Sequence, residues 1–201
     1  MLDRFYLIVD SAEWLVRLLP AGLKLAQLRL KDKTPAEIEA EVRASLTLAS
    51  TFGCQLVIND HWRTAIDAGA AWIHLGQEDL DGADLAAIRR AGLRLGISTH
   101  TEAELDRALG FDPDYVALGP IYEPGGKKVD FAPQGLARIG AWKARIACPL
   151  VAIGGLTLER APAVYAAGAD SLCVITDVLA AADPEGRCRA WLEARQTWTR
   201  G

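Results

Sequence analysis

Phe5-Tyr6-Leu7-Ile8-Val9 is a run of five residues in which no charged side chain interrupts the apolar character. A strand with one face in water alternates apolar and polar residues, whereas a strand covered on both faces reads as a continuous run. The stretch is therefore expected to be a strand of a parallel sheet. Seven more runs of the same kind follow: Leu23 to Leu30, Leu56-Val57-Ile58, Trp72-Ile73-His74-Leu75, Leu93 to Ile97, Tyr115-Val116-Ala117-Leu118, Leu150-Val151-Ala152-Ile153 and Leu172-Cys173-Val174-Ile175. Amphipathic stretches lie between them. One begins at Thr34, where Pro35 suits the first helical position and Glu37 completes a capping-box spacing. Ala-Gly precedes four of the runs, at Gly22, Gly69, Gly92 and Gly168, as a helix ending in a left-handed glycine before the next strand would require. Their spacings are close to two, one and three copies of a unit of roughly 25 residues. Eight strand–helix units predict a single (β/α)8 TIM barrel over residues 1–201, acting as one catalytic domain. An open doubly wound sheet is the alternative, but no G-x-G-x-x-G follows the first run.

The totals agree. The chain has 201 residues, the compact end for a barrel that usually needs about 250. Its hydrophobic fraction of 51% and charged fraction of 24% are those of a globular protein. A net charge of −4, from 22 basic and 26 acidic residues, predicts no general attraction to nucleic acid or an anionic membrane. No charge-free stretch reaches the roughly 18 apolar residues of a membrane span, and no secretory leader is visible. Cys54, Cys148, Cys173 and Cys188 are dispersed, without a C-x-x-C pair, and read as small hydrophobes. Cytoplasm is the expected location, and a homodimer is left open.

In such a barrel, functional groups belong just after the strands. Gln27, Arg29 and Lys31 alternate at the end of the second run and should project together, which suits a diphosphate; a solvated strand end is the plain alternative. The third run ends in Asn59-Asp60, and the fourth leads to Gly76-Gln77-Glu78-Asp79. Asp60 and Asp79 could share a Mg2+ ion, which needs only one or two carboxylates when phosphates and water complete its shell; helix capping is the competing explanation. His74 reads as a core histidine and His61 as ambiguous. Ser98 points to the same rim, Thr101 with Glu104 has capping-box spacing, and His100 is a candidate acid–base group. Fifteen residues separate Leu118 from Gln134, a long connection in which Lys127 could fold over a phosphate and Lys128 reads as solvated. Gly154-Gly155 after the seventh run permits close approach of backbone amides to a second phosphate.

Taken in order, Gln27-Leu28-Arg29 with Lys31, Ile58-Asn59-Asp60, His74 to Asp79, Gly96 to His100, Leu118-Gly119-Pro120-Ile121-Tyr122 and Ala152-Ile153-Gly154-Gly155 resemble the motif series of the thiamine-phosphate synthase family. The likeness spans almost the whole chain. It implies an alkyl/aryl transferase of thiamine biosynthesis, which joins hydroxymethylpyrimidine diphosphate to a thiazole phosphate or its carboxylate and releases pyrophosphate. The implied mechanism is dissociative, through a pyrimidine cation. The resemblance assigns Gln27, Arg29, Lys31, Asn59 and Lys127 to the pyrimidine diphosphate, with Ser98 on the pyrophosphate or pyrimidine. It assigns Asp60 and Asp79 to Mg2+, and Gly155, Ile175 and Thr176 to the thiazole phosphate. Arg29, Lys31, Ser98 and Lys127 are its catalytic set. Pro124-Gly125-Gly126 departs from the family, which usually has hydroxyl residues before the loop lysine. Thr176 stands where serine is usual, and Leu30 where many members have glutamate. The related thiazole tautomerases share the barrel but have no diphosphate to neutralise, which the cations and paired aspartates argue against. A non-catalytic binder of thiamine precursors is the other class that the rewritten loop would admit.

Overall fold

The computed structural model of the chain describes residues 2–123 and 131–200. All eight expected strands form: β1 Phe5–Val9, β2 Leu25–Leu28, β3 Gln55–Asn59, β4 Trp72–Leu75, β5 Arg94–Thr99, β6 Tyr115–Leu118, β7 Leu150–Ile153 and β8 Ser171–Val174. Each pairs in parallel with its sequence neighbour, and β8 pairs back onto β1 with Tyr6 opposite Cys173. The sheet is a closed barrel, which excludes the open doubly wound alternative. Helices fill the crossovers: α1 Ala12–Leu18, α2 Pro35–Phe52, α3 Trp62–Asp67, α4 Asp79–Gly82, α5 Leu85–Arg90, α6 Glu102–Leu109, α7 Gly135–Lys143, α8 Ala161–Ala166, α9 Thr176–Leu179 and α10 Pro184–Ala194.

The local signals act as their chemistry dictates. Thr34 accepts from the Glu37 backbone N–H while Glu37 reaches back to Thr34, a complete capping box. Thr101 accepts from the Glu104 N–H, but the Glu104 carboxylate reaches past it to the backbone of His100, so that box is displaced by one residue. Gly22, Gly69, Gly92 and Gly168 all have positive φ, between 71° and 114°, with nothing near a would-be Cβ except the Lys143 side chain at Gly168. At these turns the requirement is backbone conformation. Among the described residues no helix is long and apolar enough to cross a membrane. The four cysteines are unpaired, with Cys54, Cys173 and Cys188 buried and Cys148 half-buried.

Two apolar clusters follow from the closure. The larger lies between the outer faces of the strands and the helices, and the smaller is formed by side chains turned into the barrel, including Tyr6, Ile8, Leu25, Val57, Trp72, Tyr115 and Val151. Period-two alternation sorts each strand between the two. On β2, Leu28 and then Leu30 go outward, and Gln27 goes inward. Strand pairing stops at Leu28, one residue before Arg29, although the Arg29 N–H still donates to the Val9 carbonyl at 2.8 Å. Arg29 and Lys31 are thus exposed at the carboxyl rim, beyond the strand in which the sequence had suggested them.

The interior has one tight fit. Gly96 on β5 is paired with Tyr115 on β6, and a Cβ at Gly96 would lie 2.1 Å from Tyr115 Cζ. The strand therefore requires glycine here for volume, and its φ is not in the left-handed region. Gly96→Ala should destabilise the fold by about 1–3 kcal/mol, the usual cost of overpacking a filled core. A urea-denaturation midpoint no lower than that of the parent protein would contradict this packing.

Candidate functional site

Gln27, His74 and Ser98 each sit one residue before the carboxyl end of their strand, Asn59 ends β3, and Arg29, Lys31, Asp60, Asp79, Gly155, Ile175 and Thr176 follow strand ends. Lys127 and the Pro124-Gly125-Gly126 stretch lie outside the described residues, as does Lys128. The two ends of their connection are described, and they are tied together. Gln134 N–H donates to the Pro120 carbonyl at 2.7 Å and Gly135 N–H to the Ile121 carbonyl at 3.0 Å.

The rim of strands two to four gathers the charged groups. Lys31 Nζ sits 2.7 Å from Asp60 Oδ2. Asp60 follows β3 with a φ of 61°, a left-handed conformation that aspartate tolerates better than most residues. Its neighbour across the rim is Asp79, whose carboxyl is raised above the usual carboxylate range, first by burial and then by the Asp60 charge. Asp79 Oδ2 accepts from the Gly76 N–H at 3.0 Å, so this carboxylate stabilises the turn after β4 instead of capping a free helix N-terminus. Asn59 is buried at the end of β3. His61, which was ambiguous, immediately precedes α3 and has a buried Nε2 without a partner among the described residues.

Among the described residues no three His, Cys, Asp or Glu side chains cluster as a metal cage. Two adjacent carboxylates with a neighbouring lysine are nonetheless a coherent set for Mg2+, which takes most of its shell from phosphate and water.

Below this rim the inward-facing polar groups are linked. Gln27 Nε2 donates to Tyr6 OH at 2.9 Å, Tyr6 OH and Tyr115 OH are 3.1 Å apart, and Tyr115 OH lies 2.8 Å from His74 Nδ1. His74 Nε2 is 2.8 Å from Ser98 Oγ. Burial depresses His74 to about 4, so the ring is neutral at neutral pH. The core placement of His74 matches the sequence, but its hydrogen bonding to Ser98 was not foreseen. Tyr6 and Tyr115 were read only as strand residues. The available signal was a phenol inside an otherwise aliphatic run, because a buried tyrosine hydroxyl needs a partner.

His100 is already engaged. Its Nδ1 is 2.9 Å from Glu104 Oε2, and its ring stacks on Phe131 with centroids 4.0 Å apart.

On the other side of the rim, Gly154 and Gly155 both have positive φ. A Cβ on Gly154 would lie 2.5 Å from Pro120 Cα, and one on Gly155 2.7 Å from the Glu123 carbonyl oxygen. The glycines let the loop after β7 press against the loop after β6, where Tyr122 N–H donates to the Gly154 carbonyl at 3.0 Å. Ile175 and Thr176 are exposed at the start of α9. What holds them was not legible in the residues: Asp177 takes two bonds of 2.9 Å from Arg187 and one of 2.6 Å from Trp191 Nε1, fixing α9 to α10.

Asp79 supplies a stability test. Its folded-state affinity for a proton exceeds its unfolded one, so its contribution is favourable at low pH and is lost as the pH rises through its folded pKa. Asp79→Asn keeps an acceptor for Gly76 and carries no charge. It should be at least as stable as the parent protein at neutral pH without metal, as read by thermal melts; a clearly lower melting temperature would mean that the carboxylate is not strained.

A family model described as thiamine monophosphate synthase matches residues 5–178. The chain is 55% identical over 198 residues to a thiamine-phosphate synthase of Rhizobium etli, covering 98% of this chain and 97% of that one. It is 49% identical over 189 residues to the corresponding protein of Cronobacter sakazakii, covering 94% and 90%. It is 50% identical over 179 residues to that of Salmonella typhimurium, covering 89% and 85%. Among solved structures, a thiamine phosphate pyrophosphorylase from Pyrococcus furiosus superposes with a TM-score of 0.86 at 23% identity, over 96% of this chain and 95% of that one. At that identity the superposition speaks for the fold alone.

Proposed function

The chain belongs to the thiamine monophosphate synthase family, and from that premise we propose how its carboxyl face performs thiamine-phosphate synthesis. The reaction is a group transfer in thiamine biosynthesis: hydroxymethylpyrimidine diphosphate is joined to a thiazole phosphate, or to its carboxylate with loss of CO2, and pyrophosphate leaves. The observation that carries the site assignment is the Lys31–Asp60 ion pair beside Asp79, set at the carboxyl rim above Gln27 and Ser98.

Arg29 and Lys31 stand exposed on that rim and would take the diphosphate, Arg29 by its planar fork and Lys31 as a point charge. Lys31 can leave Asp60 for a phosphate because the lysine end of the pair is half exposed to water. Asp60 and Asp79 would hold Mg2+, and the proton affinity of Asp79 without a cation is the strain such an ion relieves. When bound, Mg2+ would neutralise diphosphate charge. Gln27 and Asn59, buried beneath, would hold the pyrimidine. The C–O bond then breaks with its electron pair passing to the diphosphate oxygen, where Ser98 and the cations meet the growing charge. The thiazole nitrogen captures the resulting pyrimidine cation. Gly155, Ile175 and Thr176 would present the thiazole phosphate to it, in a loop pair that Gly154 and Asp177 keep closed. Lys127 is assigned to the diphosphate on the family resemblance.

Residues 1–201 are taken as one catalytic domain, and no group in this account comes from a second subunit. The four free cysteines suit a reducing compartment, and the cytoplasm is the location proposed.

Incubation with both substrates and Mg2+ should yield thiamine phosphate and pyrophosphate in equal amounts, and a chelator should stop the reaction reversibly. Asp60→Ala and Lys127→Ala should each lower turnover by about 100-fold or more while leaving the circular dichroism spectrum unchanged. Binding of both substrates without release of pyrophosphate would sink the reading, and an unfolded variant with full activity per folded molecule would remove that residue from the site.

A further inference from the structure

The four hydrogen bonds inside the barrel share a direction. Gln27 Nε2 has protons and no lone pair to offer, so it donates to the Tyr6 hydroxyl. Tyr6 has a single hydroxyl proton, and its other partner is the Tyr115 hydroxyl, which must therefore receive it. The Tyr115 proton is left with His74 Nδ1. Nδ1 accordingly accepts, the imidazole proton resides on Nε2, and Nε2 donates to Ser98 Oγ. The Ser98 hydroxyl proton is then left at the rim end of the chain with no acceptor among the described residues.

The groups that form this chain cannot rearrange freely. Tyr6 and Tyr115 are fully enclosed, Gln27 is 3% exposed and His74 6% exposed, while Ser98 alone is half-buried at the rim. The His74 and Tyr115 rings stack at 5.5 Å with 17° between their planes, and Tyr6 and Trp72 pack against Tyr115 from other sides. The space for the Tyr115 ring exists because residue 96 is glycine. The chain draws on five strands, and reversing any one bond reverses all of them.

We propose that Tyr6, Tyr115 and His74 are positioning residues that fix Ser98 as a hydrogen-bond donor toward the carboxyl face, so that the site selects a hydrogen-bond acceptor of the pyrimidine diphosphate there. This rests on the reading that Ser98 contacts that substrate. In this account the three residues act through Ser98. They set which way the Ser98 proton faces, and a serine committed to donating meets a leaving diphosphate oxygen without first turning its hydroxyl.

The polarity can be read without turnover. In 15N NMR of the full chain, His74 should appear as a neutral ring protonated on Nε2, and Tyr115→Phe should shift that tautomer balance. A ring protonated on Nδ1 in the parent protein would overturn the proposal, since the chain would then run from Ser98 to Gln27. Kinetics supply the second arm. Tyr115→Phe should lower kcat by about tenfold with KM for the thiazole phosphate unchanged. In a Ser98→Ala background the same change should cost nothing further, and losses that multiply would show that Tyr115 acts by another route. Tyr6→Phe, which keeps the ring, serves if Tyr115→Phe does not fold. A protein with an Nε2-protonated His74 and no synthase activity would refute the proposed function while leaving the polarity intact.

Discussion

Closure of the eight strands forces every second side chain of each into one shared volume, and that volume must be filled jointly. Leu25, Val57, Trp72 and Val151 meet the demand with apolar bulk. Two phenols, an imidazole, an amide and a serine hydroxyl share the same interior, and polar groups there are tolerable only when bonded to one another. The requirement that keeps the core from carrying unpaired groups is thus the same one that fixes Gln27 and Ser98 beneath the rim. Packing and chemistry are not separate layers here.

The rim works differently. Its charges are close without being neutralised: Asp79 is raised by burial and by Asp60, and Lys31 covers Asp60 while remaining half exposed. An arrangement of this kind costs stability in the free protein, and under the proposed function a cation and an anion entering together would offset that cost. On the opposite side Arg160 donates to the Gly155 carbonyl and lies over the Tyr122 ring. There the design is steric, with two left-handed glycines letting one loop lie against another, and Asp177, Arg187 and Trp191 bracing α9 from behind.

Much of this was legible in the residues. The continuous apolar runs located all eight strands, because strands covered on both faces leave no room for polar alternation. The Ala-Gly pairs marked helix ends through a backbone requirement that is local, and Thr34 with Glu37 marked a helix start for the same reason. Asp60 and Asp79 were visible as acids following consecutive strands. The link from Tyr6 to Tyr115 was not visible, since its partners are 109 residues apart and only closure brings them together. Gly96 was equally opaque: its role is to be absent where another strand's ring arrives. The exact end of β2 also escaped, because pairing depends on the neighbours β1 and β3 and not on the alternation of Gln27, Arg29 and Lys31 alone.

The paired ends of the connection between β6 and α7 bear on how such a chain can change over time. Backbone bonds from Gln134 and Gly135 to Pro120 and Ile121 close that loop at its neck, independently of what the intervening residues are. For a loop held this way, even doubling its length costs only about 0.6 kcal/mol of closure entropy. The barrel is thereby insulated from the composition of that segment, and substitutions, insertions or deletions there meet little resistance from folding. A sequence such as Pro124-Gly125-Gly126 can accordingly arise there, with selection acting on it through the reaction and not through the scaffold.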